Sequence, residues 1–216
     1  MTTMEQTRIE RLPVDPAFGR VPSRGTVDRT AEALRRNGFE ALVVEDGAEA
    51  RDLVMSFIPE GSEVGQGASE TLERIGVTAA LDDRRYVAVR PLTRKMDRAT
   101  QGREIRKLSS APDVQVNSVH AVTEDGQMLI ASNTGSQLGP IASGAGKVIL
   151  VVGSQKIVPD LETGFRRLRD YNLPLEDAKF QETYGRRSAI NKILVLSGDF
   201  PPGRTTVILV REPVGV

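Results

Sequence analysis

Residues 147–158 read KVILVVGSQKIV, and this stretch decides the fold class. Its first seven residues are almost entirely apolar, which is typical of a strand covered on both faces in a parallel sheet. Lys156 follows this strand, so we expect its amine at the carboxyl end of the sheet, where open α/β folds bind their ligands. The side chain is a candidate partner for a phosphate or a carboxylate, and the alternative is an ordinary solvated lysine.

The elements before and after this strand alternate between helical and strand patterns. Apolar residues at helical spacing predict helices over 26–38, 48–58, 68–77, 97–108 and 159–171. Apolar runs predict further strands over 39–45, 62–67, 86–92, 193–197 and 205–212. The alternation predicts an α/β fold with a mixed, mostly parallel sheet flanked by helices.

Residues 114–132, VQVNSVHAVTEDGQMLIAS, predict a β-hairpin. Two strand-like runs flank Asp125-Gly126, a dipeptide that a tight hairpin turn favours. His120 falls in the middle of the first run, where a lone histidine is expected to be a satisfied structural residue. Asn117 lies on the opposite face of that predicted strand and is an equally good candidate for binding a ligand.

Composition excludes several kinds of site in this chain of 216 residues. The absence of cysteine excludes thiolate catalysis, cysteine-ligated zinc and an iron–sulfur cluster bound by the chain's own cysteines. The single histidine excludes a multi-histidine metal site, and no metal is expected. Lys and Arg balance Asp and Glu at 29 each, so a general electrostatic attraction to nucleic acid or to an anionic membrane is not expected.

The chain is expected to form one domain with a short appendage. Residues 1–22 are polar with scattered prolines and predict an N-terminal arm, and residues 23–216 predict a single α/β domain. No stretch has the pattern of a signal peptide, and no run approaches the roughly 18 apolar residues of a membrane span. We therefore expect a cytoplasmic protein without a membrane span.

Two stretches rich in glycine and hydroxyl side chains are candidate anion sites. GQGASE (65–70) begins like a dinucleotide-binding fingerprint, but Glu70 occupies the place of its third glycine. The turn either presents backbone N–H groups and hydroxyls to an anion or is an ordinary strand-to-helix turn that Ser69 caps. SNTGSQLG (132–139) follows the predicted hairpin and offers similar groups. If both stretches lie beside Lys156, several donors and one positive charge converge on one anion site.

Three stretches together resemble the LUD domain family, the lactate utilisation proteins. They are GSEVGQGASETLERIGV (61–77), HAVTEDGQMLIASNTGSQLG (120–139) and KVILVVGSQKIVPDLETGFRRL (147–168). The resemblance spans roughly residues 25–212. It implies a fold like that of ribose-5-phosphate isomerases, CoA transferases and 5-formyltetrahydrofolate cyclo-ligases.

The resemblance also implies a function and a pocket. Cluster-free members of the family work beside iron–sulfur proteins in the oxidation of L-lactate to pyruvate. Many members carry cysteines in the region that reads QETYGRRSAINK (181–192) here, and this chain has none. Members often have Asn before the lysine, where this chain has Gln155. The family pocket at the strand ends would be lined by Gly65, Gly67, Ser69, Thr71, Thr134, Gly135 and Lys156.

The leading hypothesis is a protein that binds a small anionic metabolite or cofactor and acts as a subunit or accessory of L-lactate oxidation, with an iron–sulfur oxidoreductase subunit as its candidate partner. One alternative is a stand-alone transferase or isomerase acting on a phosphorylated or CoA-bearing substrate. Another is a non-catalytic binding module for an iron–sulfur redox partner. The sequence identifies no catalytic residue and no cofactor, and it leaves the oligomeric state open.

Overall fold

The computed structural model describes residues 11–82 and 85–216. These residues contain eight α-helices: α1 Arg24–Arg36, α2 Gly47–Ser56, α3 Glu70–Arg74, α4 Val77–Leu81, α5 Val89–Arg94, α6 Gly102–Ser110, α7 Leu161–Arg167 and α8 Leu173–Tyr184. They also contain ten strands: β1 Glu40–Val44, β2 Glu63–Gln66, β3 Val87–Ala88, β4 Val114–Ser118, β5 Ala121–Thr123, β6 Met128–Ser132, β7 Lys147–Gly153, β8 Ile157–Val158, β9 Lys192–Leu196 and β10 Thr205–Val210. No helix in the described ranges combines the length and the apolar character that crossing a membrane requires.

Six of the strands form a parallel sheet in the order β1-β10-β7-β4-β2-β3. Strand β7, the apolar run from which the fold class was predicted, pairs with β10 on one side and β4 on the other. The α/β class with a mostly parallel sheet flanked by helices is therefore confirmed.

Both faces of β7 are buried because its side chains alternate between the two sides of the sheet. Val148, Leu150 and Val152 pack in one core with α1 and with strands of the second sheet, whereas Ile149 and Val151 pack in another with α2, α3 and α4. Each fully buried aliphatic side chain contributes about 1.5–3 kcal/mol. The uninterrupted apolar pattern of β7 is thus explained: helices α2, α3 and α4 cover one face of the strand, and α1 and the second sheet cover the other.

The antiparallel pairings lie in a second sheet, in the order β8-β5-β6-β9, in which β8 pairs parallel to β5, and they do not extend the first sheet. The predicted hairpin is confirmed: β5 and β6 pair antiparallel around a turn in which Gly126 has φ +87°. One face of this sheet packs on the first sheet, and the other packs against residues of α7 and the turn after it.

The prediction of one continuous strand before Asp125-Gly126 is wrong. The chain leaves the first sheet after Ser118 and enters the second at Ala121, so that His120 lies between two strands. Its carbonyl accepts a hydrogen bond from the Arg167 guanidinium, at a place where a continuous strand would pair with a neighbour. The predicted placement of His120 in the middle of a strand is corrected accordingly.

The strand predicted over 86–92 is also wrong, because only Val87 and Ala88 are extended and α5 begins at Val89. Its apolar run is too short for periodicity to separate a strand from a helix. The early start of α5 brings Arg90 and Arg94, four residues apart, onto the same side of a helix.

Residues 11–22 of the predicted arm are described, and residues 1–10 lie outside the described residues. The N–H of Asp15 donates to the carbonyl of Asp170 (2.8 Å), and the ring of Phe18 lies 5.9 Å from the guanidinium of Arg166. This part of the arm therefore packs on the end of α7. The division into an arm and a single domain stays a prediction.

Candidate functional site

A cleft of about 760 Å³ opens at the carboxyl ends of β2 and β6. It is lined by the turn after β2, the loop after β6, helices α5, α6 and α8, and the residues between α7 and α8. Open α/β folds bind ligands at this edge of their parallel sheets. The cleft is therefore the candidate site.

Four arginines stand along the cleft and are called the rim arginines: Arg90, Arg94, Arg98 and Arg106. Within residues 11–82 and 85–216, none of them forms an ion pair with a carboxylate. The Arg90 guanidinium donates to the carbonyl of Gly67 (3.4 Å), and the other three side chains make no hydrogen bond to a described residue. Among the described residues, Glu176 is the one acidic residue in the lining, so a chain without net charge has a strongly basic cleft.

Two aromatic rings on α8 form one wall. The rings of Phe180 and Tyr184 are 4.7 Å apart and tilted by 51°. Tyr184 is 59% exposed, although a tyrosine ring usually buries most of its surface. Burial and then the charge of Arg94 lower the pKa of Arg90, and Glu73 and then Tyr184 act in the opposite direction. The aromatic wall and the first rim arginine line the same cleft.

His120 lies in the more buried part of the lining, which we call the floor. Its Nδ1 accepts a hydrogen bond from the backbone N–H of Ala131 (3.1 Å). Burial, followed by the charges of Lys156 and Arg167, lowers the pKa of His120 to about 3. The imidazole is therefore neutral at pH 7, and its proton is on Nε2 because Nδ1 is an acceptor. No described residue accepts a hydrogen bond from Nε2.

Asn172 also belongs to the floor, and Arg167 lies behind it, outside the lining; we refer to the two with His120 as the floor cluster. Arg167 is 0% exposed and donates to the carbonyl of His120 and to Oδ1 of Asn172 (3.0 Å). Its Nε and Nη2 atoms and the Nδ2 of Asn172 are buried and have no hydrogen-bond partner among the described residues. Burial lowers the pKa of Arg167 to about 10, so the guanidinium stays charged at pH 7.

The local fold explains why Arg167 and Asn172 meet. Helix α7 continues into a π-helical turn, Leu168–Asn172, before α8 begins. A π turn bonds residues five apart, and such turns are frequent at functional sites. Asn172 is five residues after Arg167, so the turn brings its amide onto the guanidinium.

Lys156 lies behind the cleft rather than in its lining, and it is only 2% exposed. Its Nζ donates to Thr71 Oγ1 (2.8 Å), Ser118 Oγ (3.0 Å) and the carbonyl of Val119 (3.2 Å). All three N–H groups of the ammonium are thus used, and none meets a carboxylate. Burial lowers the pKa of Lys156 to about 7, and the charge of Arg167 acts in the same direction.

The predicted site residues divide between the cleft and the layer behind it. Gly65, Gly67 and Thr134 line the cleft, so the two glycine- and hydroxyl-rich stretches do share one cleft. The lining does not include Ser69, Thr71, Asn117, Gly135 or Lys156.

Some of the predicted residues outside the lining hold the lining residues in position. Asn117 Oδ1 accepts from the N–H of Gly67 (2.9 Å), and a Cβ at Gly67 would lie 2.5 Å from that oxygen. The Asn117 side chain therefore fixes the turn and occupies an N–H that an anion would need. Ser69 caps α3 by accepting from the N–H of Leu72 (3.3 Å), the ordinary alternative considered from the sequence. The N–H of Gly135, at φ +86°, donates to Ser132 Oγ (2.8 Å).

Sequence reasoning missed the rim arginines and the roles of His120 and Arg167. For the rim a signal exists: nine of the chain's 29 Lys and Arg residues lie in residues 84–107, against two acidic residues. Such a cluster stands out in a chain whose charges balance. For Arg167 no local signal exists, because its contact with His120 joins residues 47 positions apart.

Within the described part of the chain, no group of three or more His, Asp or Glu side chains could hold a metal ion.

Comparison with known proteins identifies relatives of the whole fold. The family described as LUD domain matches residues 27–210. A crystal structure of a DUF162 family protein from Deinococcus radiodurans superposes with a TM-score of 0.53 at 16% identity, covering 88% of this chain and 99% of that one. A search of curated proteins found no match. At this identity the superposition shows a shared fold.

Proposed function

Because this chain belongs to the LUD domain family, which is associated with lactate utilisation in general, we propose that it binds a small anionic metabolite in the cleft and acts as a subunit or accessory of L-lactate oxidation to pyruvate. We place this function in the cytoplasm. The floor cluster is the observation that supports the proposal most strongly.

The floor cluster is suited to a carboxylate. The Nε2–H of His120 and the Nδ2 of Asn172 are donors that no described residue satisfies, and Arg167 supplies positive charge directly behind them. Buried cations are ordinarily paired, and here the paired anion is absent from the described residues. L-Lactate and pyruvate each present a carboxylate and a neighbouring oxygen, which two adjacent donors can hold. A hydrogen bond to a charged acceptor contributes about 1.5–3 kcal/mol.

The electron balance supports a role beside a partner. Oxidation of L-lactate to pyruvate releases two electrons and two protons. The chain has no cysteine with which to hold an iron–sulfur cluster of its own. In the proposed arrangement the cleft binds the hydroxy acid or its product, and an iron–sulfur oxidoreductase subunit accepts the electrons.

The binding part is tested by isothermal titration of the purified chain with L-lactate and with pyruvate. We expect one site, and we expect Asn172→Leu to weaken it by about 10–100-fold, as the loss of a charge-assisted hydrogen bond predicts. A melting curve confirms that the variant is folded. Equal affinity of wild type and variant contradicts binding at the floor cluster.

The physiological part is tested by deleting the gene from its host and measuring L-lactate-dependent respiration. The proposal predicts a loss that the wild-type gene restores and the Asn172→Leu gene does not. Normal respiration in the deletion strain contradicts it. Turnover of a phosphorylated or CoA-bearing substrate by the purified chain alone would instead support the stand-alone transferase or isomerase.

A further inference from the structure

The cleft is much larger than a lactate-sized ligand requires. Pockets of roughly 300–1,000 Å³ hold ligands of drug size, and this cleft has about 760 Å³. L-Lactate has six non-hydrogen atoms, and the floor cluster provides the donors for its carboxylate. The rim arginines and the aromatic wall, which also line the cleft, would then have no ligand.

We propose that this remaining space binds a second ligand of the nucleotide class, with its phosphates on the rim arginines and its flat ring against Phe180 and Tyr184. The inference deepens the proposed function and rests on it, since the second ligand lies beside the small anion in the same cleft.

The rim arginines favour a ligand with more than one phosphate. Arg90 and Arg94 stand four residues apart on α5, a spacing at which like charges repel. Glu73 opposes the lowering of the Arg90 pKa, but its carboxylate pairs with Lys179 (3.8 Å), and within the described part of the chain neither arginine forms an ion pair. A planar guanidinium binds two phosphate oxygens at once, and four of them exceed what one carboxylate needs.

Side chains, rather than backbone N–H groups, bind the phosphates in this cleft. The N–H of Gly67 already donates to Asn117, and the carbonyl of Gly67 accepts from Arg90. The turn that resembles a dinucleotide fingerprint thus orients an arginine instead of cradling an anion itself. Binding that depends on exposed guanidinium groups weakens with added salt.

The aromatic wall selects a flat ring. Tyr184 keeps 59% of its surface exposed on the cleft side of α8, and Phe180 supports its ring from 4.7 Å. Aromatic side chains of this kind stack on nucleobases with little dependence on the base. Tyr184 and Arg90 both line this cleft, so the stacking surface and the phosphate-binding surface face the same space.

Isothermal titration with ADP, AMP, adenosine and pyrophosphate tests the inference on the full chain. We expect ADP to bind more tightly than AMP, and AMP more tightly than adenosine. Arg94→Ala and Arg106→Ala should each weaken ADP by about tenfold, the loss of one charge-assisted contact. The matched control is Arg103→Ala, an exposed arginine of α6 outside the cleft lining, which should change ADP affinity by less than about twofold.

Tyr184→Ala tests the ring. The substitution should weaken the binding of ADP and of adenosine and leave the binding of pyrophosphate unchanged. If pyrophosphate binds as tightly as ADP and Tyr184→Ala affects neither, the nucleotide assignment is overturned. It is also overturned if ADP and pyrophosphate both fail to bind, or if Arg103→Ala weakens ADP as much as Arg106→Ala does.

Parallel titration with pyruvate separates this inference from the proposed function. Pyruvate binding without ADP binding overturns the second ligand and leaves the proposed function standing. ADP binding without pyruvate binding supports the second ligand and contradicts the proposed floor site.

Discussion

Two sets of positively charged side chains lie around the same cleft, one buried behind it and one exposed at its opening. Lys156 and Arg167 are buried behind the floor, and their hydrogen-bond partners are hydroxyl, amide and carbonyl oxygens. The rim arginines stand at the opening, and three of them make no hydrogen bond to a described residue. The buried cations tie distant segments together, whereas the exposed ones contribute little to the fold. Stability should therefore depend on the first set, and the affinity for phosphates on the second.

The largest expected effect is on stability, from Arg167→Ala. The change leaves a cavity and leaves the carbonyl of His120 and the Oδ1 of Asn172 without their donor. We expect a loss of about 3 kcal/mol of unfolding free energy, measured by urea denaturation. Arg169→Ala, at an exposed position two residues further on, is the control and should change stability by about 0.5 kcal/mol or less. Equal losses in the two variants would break the distinction between buried and exposed arginines.

Lys156 should make stability rise with pH above neutrality. Its pKa is about 7 in the folded protein and about 10.4 when unfolded, so the unfolded chain binds more protons between these values. The contribution of Lys156 to the unfolding free energy should grow by about 2 kcal/mol from about pH 7 to about pH 9. Denaturation curves of Lys156→Met should lack this rise, and those of the exposed control Lys95→Met should keep it. A rise that persists in Lys156→Met would show that the buried amine is not its source.

His120 should make stability fall on acidification. Its pKa of about 3 lies below the unfolded value of about 6.5, so protons bind preferentially to the unfolded chain between them. The contribution of His120 to the unfolding free energy should decrease by about 1–2 kcal/mol from about pH 6.5 to about pH 5. Urea midpoints of His120→Gln over this interval should lack that part of the decrease. Parallel pH profiles for wild type and variant would contradict a neutral buried imidazole.

The smallest expected stability effect comes from the rim. Arg106→Ala should change the unfolding free energy by less than about 0.5 kcal/mol, because the side chain is exposed and makes no bond to a described residue. Thermal denaturation of the variant beside wild type measures this. A loss above about 1.5 kcal/mol would give the rim a structural role.

The central part of the fold could be predicted because the pattern there is local and repeated. The apolar run in β7 and the Asp125-Gly126 turn each specify their own structure, and both are confirmed. The break at His120 and the start of α5 depend on contacts with distant residues, so local pattern could not place them. The specific fold name that the resemblance suggested stays a prediction.

The candidate site was predictable in location more than in chemistry. The end of β7 and the two glycine-rich stretches pointed to this edge of the sheet. Burial then separates residues that the sequence treats alike: Lys156 is enclosed by hydroxyls, while Arg94 and Arg106 stay at the opening. Burial of this kind arises from the tertiary fold and has no signature in spacing or composition.

The most direct test is a long-range ¹H–¹⁵N correlation spectrum of the untagged protein, in which the single histidine gives unambiguous signals. We predict a neutral imidazole with the proton on Nε2 that stays neutral down to about pH 4, well below the usual value near 6.5, and whose Nε2 signal shifts when pyruvate is added. The floor cluster as an anion site would be contradicted by an Nε2 signal that does not shift with pyruvate, together with a histidine that either titrates near about pH 6.5 or carries its proton on Nδ1.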